Sequence, residues 1–258
     1  MIIATSFSTY FKECGQDIDK TFEVVKKDGF GAIGISISEP IEFYLEKKEK
    51  FKNSGLIFCI HAPLVDTNIS STNQGIRTES IKQMKGAILF AKEIDAKIVT
   101  LHPGKFRNTQ MIQDAYLLLD SALDDLLLFA ENNDVKLCLE NMEPNPKELC
   151  VTLTQVQKVF DQHPNLCLTL DLAHVAMVVT SEEEFYAYYN SLKEYIRHFH
   201  ISGIKPRMSH VEVSLIESDV DFSRIIKLIK EFPGIVLIEN RERSKNLESF
   251  EFIKSVLK

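Results

Sequence analysis

The chain has 258 residues, 45% of them hydrophobic, with a formal net charge of -7 and a pI near 5.6. That length supports a large core, in one α/β domain or two small ones, and the acidic balance gives no global attraction to phosphate polymers. Five scattered cysteines without a C-x-x-C pair argue against a disulfide framework or a thiolate zinc knuckle. No apolar stretch reaches the roughly 18 residues of a membrane span, and the N-terminal MIIATSFSTY lacks the pattern of a secretory signal. These features predict a cytoplasmic protein with no membrane partner. Without a linker-like Pro-, Gly- or Ser-rich stretch, residues 1–258 read as one domain.

The first predicted strand is IIATSF (2–7), followed by the amphipathic segment IDKTFEVVKKDG (18–29). AIGIS (32–36) and IFCIH (57–61) come next, then a long helical pattern over 77–94 and the strand KIVTLH (97–102). A second long helix, predicted over 114–133, leads to KLCLE (136–140) and then LCLTLD (166–171). IRHFH (196–200), the helical DFSRIIKLIKEF (221–232) and IVLIE (235–239) complete the series. A short apolar run followed by a longer amphipathic one is the signature of a βαβ unit. Eight such units in about 250 residues match the size of a (β/α)8 TIM barrel, a parallel eight-stranded barrel inside outer helices. A doubly wound sheet is the alternative. Eight consecutive units without a long insertion favour closure.

In such barrels chemistry sits at the C-terminal ends of the strands. Strands three to eight end on His61, His102, Glu140, Asp171, His200 and Glu239, each a potential metal ligand. Alternation gives an independent check, because residues two apart share a face. Two positions earlier stand Cys59, Thr100, Cys138, Thr169, His198 and Leu237, mostly small or polar, whereas the other parity is large and apolar. The terminal residues therefore converge inward. Three carboxylates buried side by side cost several kcal/mol per charge unless compensated, and a divalent cation compensates them. His198, one layer down, reads as a buried hydrogen-bonded residue. His163, in DQHPN, reads as a surface loop residue without function. His174, three residues past Asp171, can swing back over the mouth, and His210 reaches it if its loop folds inward.

HAP (61–63), LHPG (101–104), LEN (139–141), DLAH (171–174), FHIS (199–202) and IEN (238–240) resemble the xylose isomerase-like barrel superfamily over essentially the whole chain. That superfamily includes sugar and sugar-phosphate isomerases and epimerases, and also the endonuclease IV family. By resemblance, Glu140, Asp171, His200 and Glu239 match a metal site shared by both branches. His61 and His102, with Glu140 as bridge, match the endonuclease's first zinc site. Its third site would use His174 and His210, but Met208 stands where an aspartate belongs, and a thioether is a poor ligand for such a cation. The resemblance thus implies one to three divalent ions per chain, zinc or manganese first, with magnesium or cobalt as alternatives. Homo-oligomers are common among similar epimerases, although no helix here shows a dimer stripe.

Two mechanisms use these ligands. For a small carbohydrate, one cation chelates a carbonyl and a neighbouring hydroxyl, Glu140 and Glu239 act as base and acid through an enediolate, and His174 and Arg207 hold hydroxyls or a phosphate. For DNA at abasic sites, two or three zinc ions activate water against a phosphodiester. The loop ISEPIEF, with Glu39 and Glu42, disfavours phosphate-backbone contact, whereas KPR (205–207) and RER (241–243) supply local positive charge. Small-sugar chemistry is the first expectation, abasic-site hydrolysis the alternative, and a non-catalytic metal- or ligand-binding barrel the second alternative.

Overall fold

The computed structural model describes residues 1–258. Eight strands run β1 (Ile2–Ser6), β2 (Ala32–Ser36), β3 (Ile57–His61), β4 (Ile98–Leu101), β5 (Lys136–Glu140), β6 (Cys167–Asp171), β7 (Ile196–Ile201) and β8 (Ile235–Ile238). Neighbours pair in parallel in sequence order, and β1 also pairs with β8, so the sheet closes. The expected (β/α)8 barrel is the fold. Strand bounds differ by a residue or so: Phe7 already begins a helix, while His102 and Glu239 lie one step beyond β4 and β8.

Two separate apolar clusters follow from strand alternation. Ala4, Ala32, Cys59, Ile235 and Leu237 fill the bottom of the barrel interior. The opposite parity, including Ile60, Val99, Leu101, Leu139, Leu170, Phe199 and Ile238, joins a 58-residue cluster beneath the helices. Both faces are thus buried, and the inward polar residues occupy the upper layers, with Thr100 bonded to Thr169 and His198 to the Ile235 carbonyl beneath the mouth.

The long helices Gln74–Glu93 and Ile112–Glu131 cover most of the two predicted long segments. The first is started by Asn73, whose side chain accepts from the backbone N–H of Gly75 and Ile76. The helix predicted over 221–232 is shorter, Ser223–Leu228. It has no side-chain N-cap bond, and Pro233 follows soon after. The C-terminal helix Arg243–Leu257 is clamped to the end of helix Ile18–Lys27: Arg243 donates to both oxygens of Asp28 at 2.6 and 2.7 Å. Tyr10 also donates to Asp28, at 2.9 Å.

Candidate metal centre at the barrel mouth

Local signals end several of the strands that deliver candidate residues. Pro63 follows His61 after Ala62, and Pro103 with Gly104 ends the β4 run. Gly104 has φ of +90°, and a Cβ there would collide with Asn68 Oδ1, so only glycine turns the chain at that point. Asp171 caps the helix Leu172–Val178, its Oδ1 accepting from the His174 N–H at 2.8 Å. That cap is the physical content of the D-x-x-H spacing: it fixes His174 one turn above Asp171 and leaves Oδ2 free.

Glu140 is the hub. Its Oε2 lies 3.1 Å from His61 Nε2 and 3.2 Å from His102 Nε2, and its Oε1 lies 3.0 Å from His200 Nδ1. The other face of His200 Nδ1 meets Glu239 at 3.4 Å. Glu140, Asp171 and His200 are each 1% exposed, whereas the Glu239 side chain keeps 21% of its surface. It is therefore the carboxylate of this group that faces an incoming molecule. Burial alone would keep Glu140 neutral, but the charge of His200 and hydrogen bonds from His102, His200 and His61 hold its carboxyl well below the usual range. Burial likewise opposes a charge on His200, yet Glu239 and Glu140 lift its pKa to about 10. His174 is also raised: burial resists, but Asp171 and Glu140 outweigh it.

Ligand atoms of Glu140, Asp171, His200 and Glu239 all lie within 4.8 Å of one another, as do those of His61, His102 and Glu140. Asp171 Oδ2 and His200 Nε2 are buried without any hydrogen-bond partner. An orphaned buried carboxylate oxygen costs free energy, and this donor set, one imidazole with three carboxylates, fits a divalent cation. His198 behaves as expected: it is buried, its Nδ1 donates to the Ile235 carbonyl at 2.9 Å, and burial pushes its pKa down.

Several placements differ from the sequence reading. His163 is no surface residue; it is 7% exposed and its Nε2 sits 3.4 Å from Asp120, because the chain turns inward at the end of helix Leu153–Gln162. Arg207 is exposed on the loop after β7, at φ +65°, and is not drawn into the cluster. The positive charge of RER is already spent, Arg243 on Asp28 and Arg241 on Glu212 at 3.4 Å. Glu39 and Glu42 are exposed. His210 does fold inward, 9% exposed, with its ring 4.8 Å from that of His174.

Three participants escaped the sequence reading. Glu143 lies beside His174 and His210. Asn141 braces β5 to β6: its Oδ1 accepts from the Asp171 N–H at 2.8 Å and its Nδ2 donates to the Asp171 carbonyl at 3.1 Å. Asn240 does the same for the loop after β7, donating to Val213 O at 2.8 Å. The repeated Glu-Asn pair in LEN and IEN was the available signal. A cavity of about 740 Å³ opens at the other end of the barrel, lined by Lys97, Lys136, Arg197 and Gly234. It contains no such cluster of ligands.

The family model of the xylose isomerase-like TIM barrel matches residues 22–256. The chain belongs to that family. Within reach of this xylose isomerase-like barrel by sequence is an uncharacterized protein of Methanocaldococcus jannaschii, 28% identical over 216 residues, covering 77% of each chain. A probable endonuclease 4 of Malacoplasma penetrans is 25% identical over 168 residues, 62% of this chain and 55% of that one. Among solved structures, a D-tagatose 3-epimerase-like protein superposes with a TM-score of 0.83 at 22% identity, over 100% of this chain and 97% of the other. The 3-keto-D-glucoside 4-epimerase of E. coli gives 0.81 at 17% identity, over 99% of both chains. At these identities the superpositions establish the shared barrel.

Proposed function

We propose that this barrel is a divalent-metal-dependent isomerase or epimerase of a small sugar or sugar phosphate. The observation that carries the reading is the buried Glu140, Asp171, His200 and Glu239 group, in which one carboxylate, Glu239, stays open to the mouth. It is supported by epimerase neighbours that align over the full barrel.

Those four residues would hold the cation, zinc or manganese first, with magnesium or cobalt as alternatives. When bound, it withdraws electron density from a substrate carbonyl and acidifies the adjacent C–H. Glu239, partly exposed, moves the proton at that carbon, and Glu140 works from the opposite side of the group. His174 offers a hydrogen bond to a substrate hydroxyl, and Arg207 has its guanidinium uncommitted for a phosphate. Ala4, Ala32, Cys59, Ile235 and Leu237 close the barrel interior beneath the mouth, so solvent would reach the substrate only from above.

Incubation of metal-loaded protein with a panel of ketoses and aldoses in deuterated water, followed by proton NMR, tests this. Loss of an α-proton signal is expected from wild type. Glu239→Gln should abolish it, with bound metal counted in both samples. Wild-type exchange in that variant contradicts the role of Glu239.

One observation favours a second reading, hydrolysis of DNA at abasic sites. His61 and His102 share Glu140 Oε2, a second ligand group that proton transfer at one cation leaves idle. The exposed Glu39 and Glu42 and the committed Arg241 and Arg243 weigh against it. Metal-dependent nicking of a duplex carrying one abasic site, absent in Glu140→Gln, would install it.

A further inference from the structure

Glu143, His174 and His210 meet at the rim, with one ligand atom of each within 4.8 Å of the others. The β5 loop, the start of helix Leu172–Val178 and the β7 loop deliver them. Glu143 stands three residues past Glu140, as His174 stands three past Asp171, and His210 begins the 3-10 turn His210–Glu212 after β7. The two imidazoles meet edge to face with ring centroids 4.8 Å apart. His210 Nδ1 lies 3.8 Å from Glu143 Oε2, too far for a hydrogen bond. A rim ion pair stacked on a buried histidine is the simplest competing account, and it would draw that pair into contact.

The tautomer of His174 is informative. Its Nδ1 donates to the Asn141 main-chain oxygen at 2.7 Å, which leaves Nε2 as the ring's free nitrogen. A second hydrogen bond of this kind is how ligating imidazoles are oriented. The helix cap on Asp171 holds the same residue from the backbone side. Two nearly buried imidazoles and a one-third-exposed carboxylate are thus preset around a common point, Glu143 being the most exposed of the three.

We propose that Glu143 completes a site for a zinc-type divalent cation with His174 and His210, supplying from the β5 loop the carboxylate that the endonuclease-type third site would take from the β7 loop, where this chain has Met208. Two imidazoles, one carboxylate and an open fourth position is a zinc donor set. Met208 is about half exposed (49%), a soft thioether with no part in this arrangement. A carboxylate reaching over from the β5 loop makes the missing aspartate unnecessary. A cation held there would supply positive charge beside the mouth for an anionic oxygen of a ligand. The rim group shares no residue with the Glu140, Asp171, His200 and Glu239 group, so loss of either can be measured without loss of the other.

Equilibrium dialysis of metal-free protein against buffered zinc, with bound zinc counted by atomic emission, tests the proposal. Wild type should bind one equivalent that Glu143→Gln and His210→Ala each lose or hold at least about tenfold more weakly. Met208→Ala should match wild type, and the equivalents lost in Glu140→Gln should persist in Glu143→Gln. Circular dichroism checks that each variant is folded, and Glu143 lies on a loop with a third of its surface free. Identical isotherms for wild type, Glu143→Gln and His210→Ala overturn the proposal, as does loss of the equivalent in Met208→Ala. If instead Glu140→Gln binds zinc like wild type, the central group fails and the rim site survives.

Discussion

Asn141→Leu separates bracing from ligation. The residue is 1% exposed, and its amide makes both an accepted and a donated hydrogen bond with the Asp171 backbone. Leucine has similar bulk, so water does not enter to replace the lost groups. Each backbone group left buried and unsatisfied costs about 1–3 kcal/mol, so the pair gives a loss of roughly 4 kcal/mol. For a chain of this size each kcal/mol shifts the melting point by about 2–4 °C, so a drop of about 8–16 °C is expected. The chain contains no tryptophan, which makes far-UV circular dichroism the natural probe, with chelator present. Because Asp171 and His174 both hang on this brace, zinc affinity should also fall about 10–100-fold. A variant within about 1 kcal/mol of wild type and with unchanged affinity would refute the reasoning, and the β5 and β6 ends would then be set by the sheet alone.

Metal-free protein should lose stability as pH rises from about 6.5 toward 10. His200 has its folded pKa raised to about 10 by Glu239 and Glu140 against an unfolded value of about 6.5. Its contribution is therefore complete below that lower value and is lost through the upper one, a few kcal/mol in all. Urea midpoints across this range should fall in wild type and stay flatter in His200→Gln; parallel curves would contradict the assignment. Arg243→Ala removes the charged partner of Asp28, whose side chain is 9% exposed, while Tyr10 still donates to it, and should cost about 1–3 kcal/mol. Zinc binding should not change, because the clamp joins helices Ile18–Lys27 and Arg243–Leu257 and does not involve the Glu140 group; weakened binding would show that the helical shell steers the mouth.

Strand periodicity made the barrel legible, since Leu137 and Leu139 could only pack outward while Cys138 and Glu140 faced in. The six strand-end residues needed no more than that parity. What stayed hidden depends on contacts between loops. Glu143 follows Glu140 by the same three-residue step that placed His174, but nothing in the β5 loop announces that it meets a histidine from the β7 loop. Asn141 and Asn240 stood in plain view beside glutamates, yet their bonding partners belong to other strands. Arg243 looked like a free cation because Asp28 lies 215 positions away. His163 looked exposed because a His-Pro pair usually marks a surface turn, and the inward bend toward Asp120 is a tertiary effect.

Crystals soaked in manganese, with anomalous diffraction collected above its absorption edge, address the central claim most directly. A strong peak bounded by Glu140, Asp171, His200 and Glu239 is the predicted result. Manganese bound elsewhere, with that space empty in well-ordered crystals, would contradict a metal-dependent reaction at the mouth of this barrel.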